Sequence, residues 1–117
     1  ALTNVGAKVP AALPDGAKPA AATRAALAAW VTGPGNPYFA PAAADRVWAQ
    51  LLGRGLTDPV DDAHPSNPPS HPGLQRLLAH EFRAGGYDVR ELARAIGRSR
   101  AYGRSTAAVP GNEADRT

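Results

Sequence analysis

The sequence predicts an all-α fold, a small bundle of about four short helices with a long central loop that contains Pro, Asp and His. Apolar residues recur at the i, i+3, i+4 spacing of an amphipathic helix in several separate stretches. Glycine and proline, with 12 residues of each, fall mainly between these stretches and toward both ends, where they terminate helices. No stretch shows the alternating apolar pattern of a strand.

The first predicted helix begins at Thr23, a residue type that caps helix N-termini. It ends at Gly33, the start of a Gly-Pro-Gly sequence. Its apolar stripe consists of Leu27, Trp30 and Val31.

The second predicted helix is capped by Asn36, with Pro37 in its first turn. Pro41 is also expected in the first turn, where its missing N–H is tolerated. Gly53 ends the helix, and Leu56 is placed to fold back onto it. The apolar face comprises Phe39, Ala43, Val47, Trp48 and Leu51.

No helical period is present over residues 57–71, the central loop, which is long for a connection in a compact domain. Ser70 is expected to cap a third helix that has Pro72 near its start and ends at Gly85-Gly86. The apolar stripe of this helix comprises Leu74, Leu77, Leu78 and Phe82.

The fourth helix has the clearest start in the chain, because Asp88 and Glu91 have the spacing of a capping box. Tyr87 and Leu92 occupy the two positions of a hydrophobic staple. The helix is expected to extend to about Arg100.

These observations predict an Ala/Pro-rich linker over residues 1–22, a helical domain over 23–104 and a flexible tail over 105–117. The chain contains no Met, and its N-terminus lacks a signal-peptide pattern. We therefore expect it to have been cut from a longer protein.

The composition excludes several classes of site. With 0 Cys, the chain has no disulfide, thiolate metal site, Cys nucleophile or covalently attached haem. It has no apolar run long enough to span a membrane. The net charge of +3 permits binding to an anionic polymer without requiring it.

The candidate site is the central loop, which concentrates titratable groups. Carboxylates and imidazoles can bind cations or act as acid and base, but these residues show neither an EF-hand pattern nor a zinc spacing. The competing interpretation is structural: Asp61 or Asp62 pairs with Arg46 or Arg54 and fixes the loop. We therefore assign no catalytic residue, metal ligand or cofactor. The candidate binding residues are Arg46, Arg54, Asp61, Asp62, His64, Ser70 and His71.

An alternative site lies on the fourth helix, where Arg90, Arg94 and Arg98 recur at i, i+4, i+8. This basic stripe fits a phosphate or sulfate polymer, although most such stripes are solvated faces. Residues 89–102 also resemble a helix-turn-helix with Gly97 at its turn. Such a motif favours nucleic-acid binding.

Several different short motifs follow one another along the chain. They are 26–32 (ALAAWVT), 36–40 (NPYFA), 45–48 (DRVW), 53–56 (GRGL), 58–62 (DPVDD), 69–72 (PSHP), 86–87 (GY) and 99–102 (SRAY). In order and spacing they resemble the domain of unknown function 1553 family over roughly residues 23–106. That domain is found at the C-terminal end of large exported planctomycete-type proteins, often with a cytochrome-c-like N-terminal segment. The resemblance implies a C-terminal piece of a protein exported to the periplasm or cell envelope, and it names no reaction.

Three functional hypotheses follow. The first is a non-catalytic helical module that packs on the upstream domain of the same polypeptide. The second is nucleic-acid binding through the arginine stripe. The third is that the Asp/His loop contributes to a composite enzyme site completed by another domain.

Overall fold

The computed structural model describes residues 24–105 together with Leu13, Gly16, Ala107, Pro110 and Gly111. It confirms the all-α prediction, since these residues form four helices and no strand. The helices are α1 (Arg24–Val31), α2 (Phe39–Leu52), α3 (Pro72–Ala84) and α4 (Val89–Gly97). None of the described helices combines the length and apolar character needed to cross a membrane.

The chain divides into two compact units, Ala1–Phe39 and Ala40–Thr117. We call them the N-terminal unit and the C-terminal unit. The predicted linker falls almost entirely outside the described residues, as does the predicted cap Thr23. Most of the predicted tail lies outside them as well, so the predicted domain limits stay predictions.

In the N-terminal unit, α1 ends at Val31, which is the last residue of its predicted apolar stripe. Trp30 and Val31 are half-buried, whereas Leu27 is 50% exposed. Thr32 closes the last turn, because its hydroxyl donates to the carbonyl of Ala28 at 2.9 Å. The structure therefore confirms the end of this helix close to Gly33.

Asn36 caps α2 as predicted. Its side-chain Oδ1 accepts hydrogen bonds from the backbone N–H groups of Tyr38 at 2.8 Å and Phe39 at 3.0 Å. Because the helix begins only at Phe39, Pro37 precedes it, and the predicted place of Pro37 in the first turn is wrong. Pro41, the third residue of the helix, does lie in that turn.

The C-terminal unit has a single hydrophobic core. Its buried members come from α2, α3, α4 and the segment after α2; partly buried side chains that include Trp48 and Tyr87 pack against them. The buried residues are Ala40, Ala44, Leu56, Leu78, Ala79, Phe82, Leu92 and Ile96. Leu77, predicted to join this core, is instead 55% exposed.

A Schellman motif ends α3 and allows a connection of only four residues to α4. The N–H of Tyr87 donates to the carbonyl of Phe82 at 2.8 Å, and that of Gly86 donates to Arg83 at 3.0 Å. Gly86 has φ +67, the left-handed conformation this motif needs. Tyr87 also has a positive φ of 63, and its ring meets Phe82 edge to face with centroids 5.3 Å apart.

Asp88 is the N-cap of α4, as predicted. Its carboxylate accepts from the N–H of Arg90 at 2.8 Å and of Glu91 at 3.1 Å. The reciprocal half of the capping box is absent from the described contacts, since the carboxylate of Glu91 pairs with Arg94 instead. The acidic cap and the acidic first turn both favour this helix electrostatically.

The end of α4 differs from the prediction. The helix stops at Gly97 rather than near Arg100, with Arg98 as its C-cap. Residues 98–104 form turns, and no second helix follows Gly97 within the described part of the chain. The predicted helix-turn-helix is therefore not formed in these residues.

Replacing Asp88 tests how much its cap contributes. Asp88→Ala removes the acceptor for two N–H groups at the start of α4 and should lower the free energy of unfolding by about 1 kcal/mol. Urea denaturation followed by circular dichroism measures the change. Asp88→Ser keeps a capping oxygen and should retain most of the stability; equal losses in both variants would contradict the role of the cap.

Candidate functional site

The central loop is held by a carboxylate that the sequence analysis did not single out as a site residue. Asp45 lies on α2 with 1% of its surface exposed. Its Oδ1 accepts a hydrogen bond from the N–H of Leu56 at 2.6 Å, and its Oδ2 accepts from Thr57 at 2.9 Å. One side chain therefore fixes the backbone where the chain leaves α2 and enters the loop.

The burial of Asp45 is tolerated because both oxygens accept hydrogen bonds from backbone N–H groups. Charge-assisted bonds of this type are about twice as strong as neutral ones. A buried carboxylate without such donors would be strongly unfavourable. The N–H groups of Leu56 and Thr57 also need these acceptors, since both residues are buried. Asp45 therefore has a structural role.

Ser70 fixes the other end of the loop to the same segment. Its N–H and its hydroxyl both donate to the carbonyl of Leu56, at 2.7 Å and 3.0 Å. The predicted helix cap is wrong, because Ser70 lies one residue before the N-cap of α3 and its hydroxyl holds the loop instead. The N-cap position of α3 is His71, which makes no side-chain cap bond, and Pro72 follows at N1.

Thr57 connects the loop to α3. It is 1% exposed, and its hydroxyl oxygen accepts a hydrogen bond from the side-chain amide of Gln75 at 3.2 Å. Together with the bonds of Leu56, this contact ties α2, both loop ends and α3 into one network.

Two ion pairs brace the loop at its surface. Arg46 pairs with Asp61 at 2.5 Å, which is one of the pairings predicted for the paired aspartates. Arg54 pairs with Asp58 through Nε at 3.0 Å. All four side chains are more than half exposed, so each pair contributes little stability.

Asn67 organises the middle of the loop and was not predicted to do so. Its side-chain amide donates to the carbonyls of Asp58 at 3.2 Å and Asp62 at 2.9 Å. Its backbone N–H donates to the carbonyl of His64 at 2.9 Å. The side-chain amide of Asn67 therefore joins three positions of the loop. These contacts span up to nine residues, so the sequence pattern does not predict them.

His64, Ser66 and Asp62 form a connected chain of side chains. The Ser66 hydroxyl lies 2.7 Å from His64 Nδ1, and the Ser66 N–H donates to the same nitrogen at 3.2 Å. His64 Nε2 lies 3.5 Å from an oxygen of Asp62.

This arrangement has the order of a Ser-His-Asp triad but differs from one in its surroundings. His64 and Asp62 have side chains 45% and 56% exposed, so no low-dielectric site surrounds them. The Ser66 N–H, a natural oxyanion donor, is directed at the imidazole instead. The hydrogen bonds stabilise the turn from His64 to Asn67, whose backbones form an isolated bridge.

His71 also contacts a serine through Nδ1, but here the nitrogen is placed to donate, whereas Nδ1 of His64 accepts. Since the Ser70 hydroxyl donates to the carbonyl of Leu56, its oxygen is left to accept from His71 Nδ1, which lies 3.1 Å away. In the neutral tautomer that completes this bond, the proton is on Nδ1 and Nε2 carries a lone pair. Ser70 is consequently not activated as a nucleophile, because its proton does not face a base.

An open cleft of about 350 Å³ lies beside His71. Its chemistry is mixed, with an arginine, a carboxylate and an imidazole around the edge of a small apolar surface. The lining residues are Arg54, Gly55, Leu56, Asp58, Asn67, Pro68, Ser70 and His71. Among the described residues, no group of three His, Cys, Asp or Glu side chains is placed to hold a metal ion.

The structure places three of the predicted residues, Arg54, Ser70 and His71, along one cleft, whereas Arg46 pairs with Asp61 and His64 with Asp62 outside its lining. The alternative basic residues lie elsewhere: Arg90 and Arg94 are exposed on α4, and Arg98 is exposed at its C-cap. The binding roles predicted for both sets stay predictions.

Removing the buried carboxylate should disrupt the loop. Asp45→Ala leaves two buried N–H groups without acceptors and should lower the free energy of unfolding by about 3 kcal/mol. Hydrogen exchange of the Leu56 and Thr57 amides should accelerate. Asp61→Ala, which removes only an exposed partner, should change the stability by less than about 0.5 kcal/mol; similar effects of the two variants would show that burial is not what matters.

Gly55 is required for the close approach of the chain to Asp45. A Cβ at this position would lie 2.4 Å from the carbonyl oxygen of Thr57 and 3.3 Å from Asp45 Oδ1. Gly55→Ala should therefore destabilise the protein by about 2 kcal/mol. Gly73→Ala, in α3 with nothing within 4 Å of the new Cβ, should be neutral or stabilising. Thermal unfolding of both variants compares them; a neutral Gly55→Ala would contradict this packing.

Comparison with known proteins identifies the family. A search of the curated proteins found no match, and neither did a search of the solved structures. The family model described as "PSD1: Protein of unknown function (DUF1553)" matches residues 23–117, which include all four helices and the central loop. The resemblance seen in the motifs is thereby confirmed, and the chain belongs to the DUF1553 family of proteins of unknown function.

Proposed function

We propose that this chain is a non-catalytic helical module that docks on a preceding domain of the same polypeptide through the central loop. The observation that carries the proposal is the internal bonding of the loop. Each of its three carboxylates, on Asp58, Asp61 and Asp62, faces a basic side chain of the module itself. The loop, held at its two ends by Asp45 and Leu56, thus leaves none of these three carboxylates without a partner.

Fixing a loop of this length costs conformational entropy, and a loop that is already ordered before a partner arrives is suited to binding. Ordering each residue costs about 1–2 kcal/mol of conformational free energy. Here hydrogen bonds to the buried carboxylate of Asp45 and to the carbonyl of Leu56 offset part of that cost at the two loop ends. Binding then requires little further ordering, which favours affinity.

The docking surface is the cleft beside His71. Nε2 of His71 has no partner among the described residues and can accept a hydrogen bond from a docked domain. Arg54 and Asp58 line the same cleft with exposed charged groups. The cleft is therefore lined by charged groups, by hydrogen-bonding groups and by part of Leu56.

The composite enzyme site receives less support from the same geometry. A general base or metal ligand needs an available lone pair at the reacting centre. Asp61 and Asp62 face Arg46 and His64, so Nε2 of His71 is left as the candidate base of the loop, and among the described residues no second titratable group is hydrogen-bonded to it. Export of the parent protein is part of the proposal through the family resemblance alone.

Docking can be tested with the domain that precedes this chain in the full-length protein. The two pieces are titrated by calorimetry. His71→Ala should weaken binding about tenfold, because an interfacial hydrogen bond in a desolvated cleft is lost. His80→Ala removes an exposed imidazole from α3 and should leave the affinity unchanged.

Chemical modification gives an independent measurement. An acylating reagent should modify Nε2 of His71 in the free chain, and docking should protect it while His80 stays reactive. Equal protection of both residues, or no binding between the two pieces, would contradict the docking proposal.

A further inference from the structure

The positive charge of the chain is concentrated at its fourth helix. Residues 24–87 contain five arginines and five acids, so they are neutral overall. Residues 88–104 contain five arginines and two acids, an excess of +3 that equals the net charge of the whole chain. We call residues 88–104 the basic segment.

The arginines of the basic segment are available for a ligand. Arg90, Arg98, Arg100 and Arg104 are exposed, and none has a carboxylate partner among the described residues. Arg94 differs because it pairs with Glu91. On α4 the i, i+4, i+8 spacing places successive guanidinium stems about 6 Å apart along the axis. A ligand with repeated anionic groups fits such a row.

An exposed aromatic side chain lies within the same segment. Tyr102 is 48% exposed and sits between Arg100 and Arg104 in the turns after α4. Its N–H donates to the Ser99 hydroxyl at 3.3 Å, and the N–H of Arg104 donates to the carbonyl of Ala101 at 3.4 Å. The backbone is thus turned, and the ring remains open to solvent.

We propose that the basic segment binds single-stranded nucleic acid, with the arginines contacting phosphates and Tyr102 stacking on a base. Basic grooves or rows combined with aromatic platforms are the usual means of binding single strands without sequence preference. Reading a duplex would need a helix directed into the major groove. Within the described residues the chain after Gly97 forms turns, so the second helix that the predicted helix-turn-helix would use for such reading is not formed there.

Glu91 reduces the positive charge that the basic segment offers to a ligand. Its carboxylate neutralises Arg94, the middle arginine of the row on α4. Removing the acid releases a guanidinium and also removes a negative charge from the path of the strand. A purely structural role for the row would predict no gain in binding from that change.

The test is fluorescence anisotropy of the 117-residue chain with a labelled oligothymidylate of about 12 nucleotides, a length within the usual range of single-strand sites. Binding should weaken with salt, and Arg90→Gln/Arg98→Gln should reduce the slope of log affinity against log salt by about 1.4. Arg24→Gln/Arg76→Gln, which removes two exposed charges outside the basic segment, is the matched control and should leave both affinity and slope unchanged; Arg76→Gln alone should also be without effect.

Two further variants separate stacking and charge. Tyr102→Ala should weaken binding about tenfold, and Tyr102→Phe should retain it. Glu91→Gln should tighten binding. Circular dichroism confirms that each variant keeps its helices.

The opposite results would overturn the proposal. No binding at low ionic strength would do so, as would equal weakening by Arg76→Gln. A sulfated polysaccharide serves as a competitor. If it binds more tightly than the oligonucleotide and Tyr102→Ala has no effect, the segment recognises sulfate polymers by charge alone and the nucleic-acid proposal is wrong.

Discussion

The buried carboxylate of Asp45 is the interaction on which the loop and its surface depend. It accepts hydrogen bonds from two consecutive backbone N–H groups, those of Leu56 and Thr57, at 2.6 and 2.9 Å. A neutral acceptor would bind the same N–H groups more weakly, because charge-assisted bonds are stronger. The carboxylate in turn has no access to water to replace them. Each partner therefore requires the other.

The remaining loop contacts build on this first pair of bonds. With its N–H held by Asp45, Leu56 presents its carbonyl to two donors of Ser70. The Ser70 hydroxyl donates to this carbonyl, which leaves its oxygen to accept from Nδ1 of His71. Asp45 on α2 is thus connected, through Leu56 and Ser70, to the hydrogen bond made by the exposed imidazole of His71 at the start of α3. This dependence explains how a surface group can be fixed by a residue that never touches solvent.

The sequence predicted the features whose causes are local. The caps Asn36 and Asp88 bond to N–H groups two or three residues away, so residue type and position were sufficient to identify them. Asp45 was missed because its partners are 11 and 12 residues away. Ser70 was assigned to the nearer helix end, but its acceptor on Leu56 is 14 residues distant. A hydroxyl with a local and a distant option cannot be placed by pattern alone.

Charge is distributed unevenly in the C-terminal unit, between the central loop and the basic segment. The acids of the loop neutralise nearby arginines such as Arg46 and Arg54, so this surface carries little net charge. The positive excess is left on the basic segment. Binding at the loop would therefore rest on short-range contacts that salt screens weakly, whereas binding at α4 would fall steeply with ionic strength. Because the two surfaces differ in this physical respect, ionic strength alone distinguishes which of them a given partner occupies.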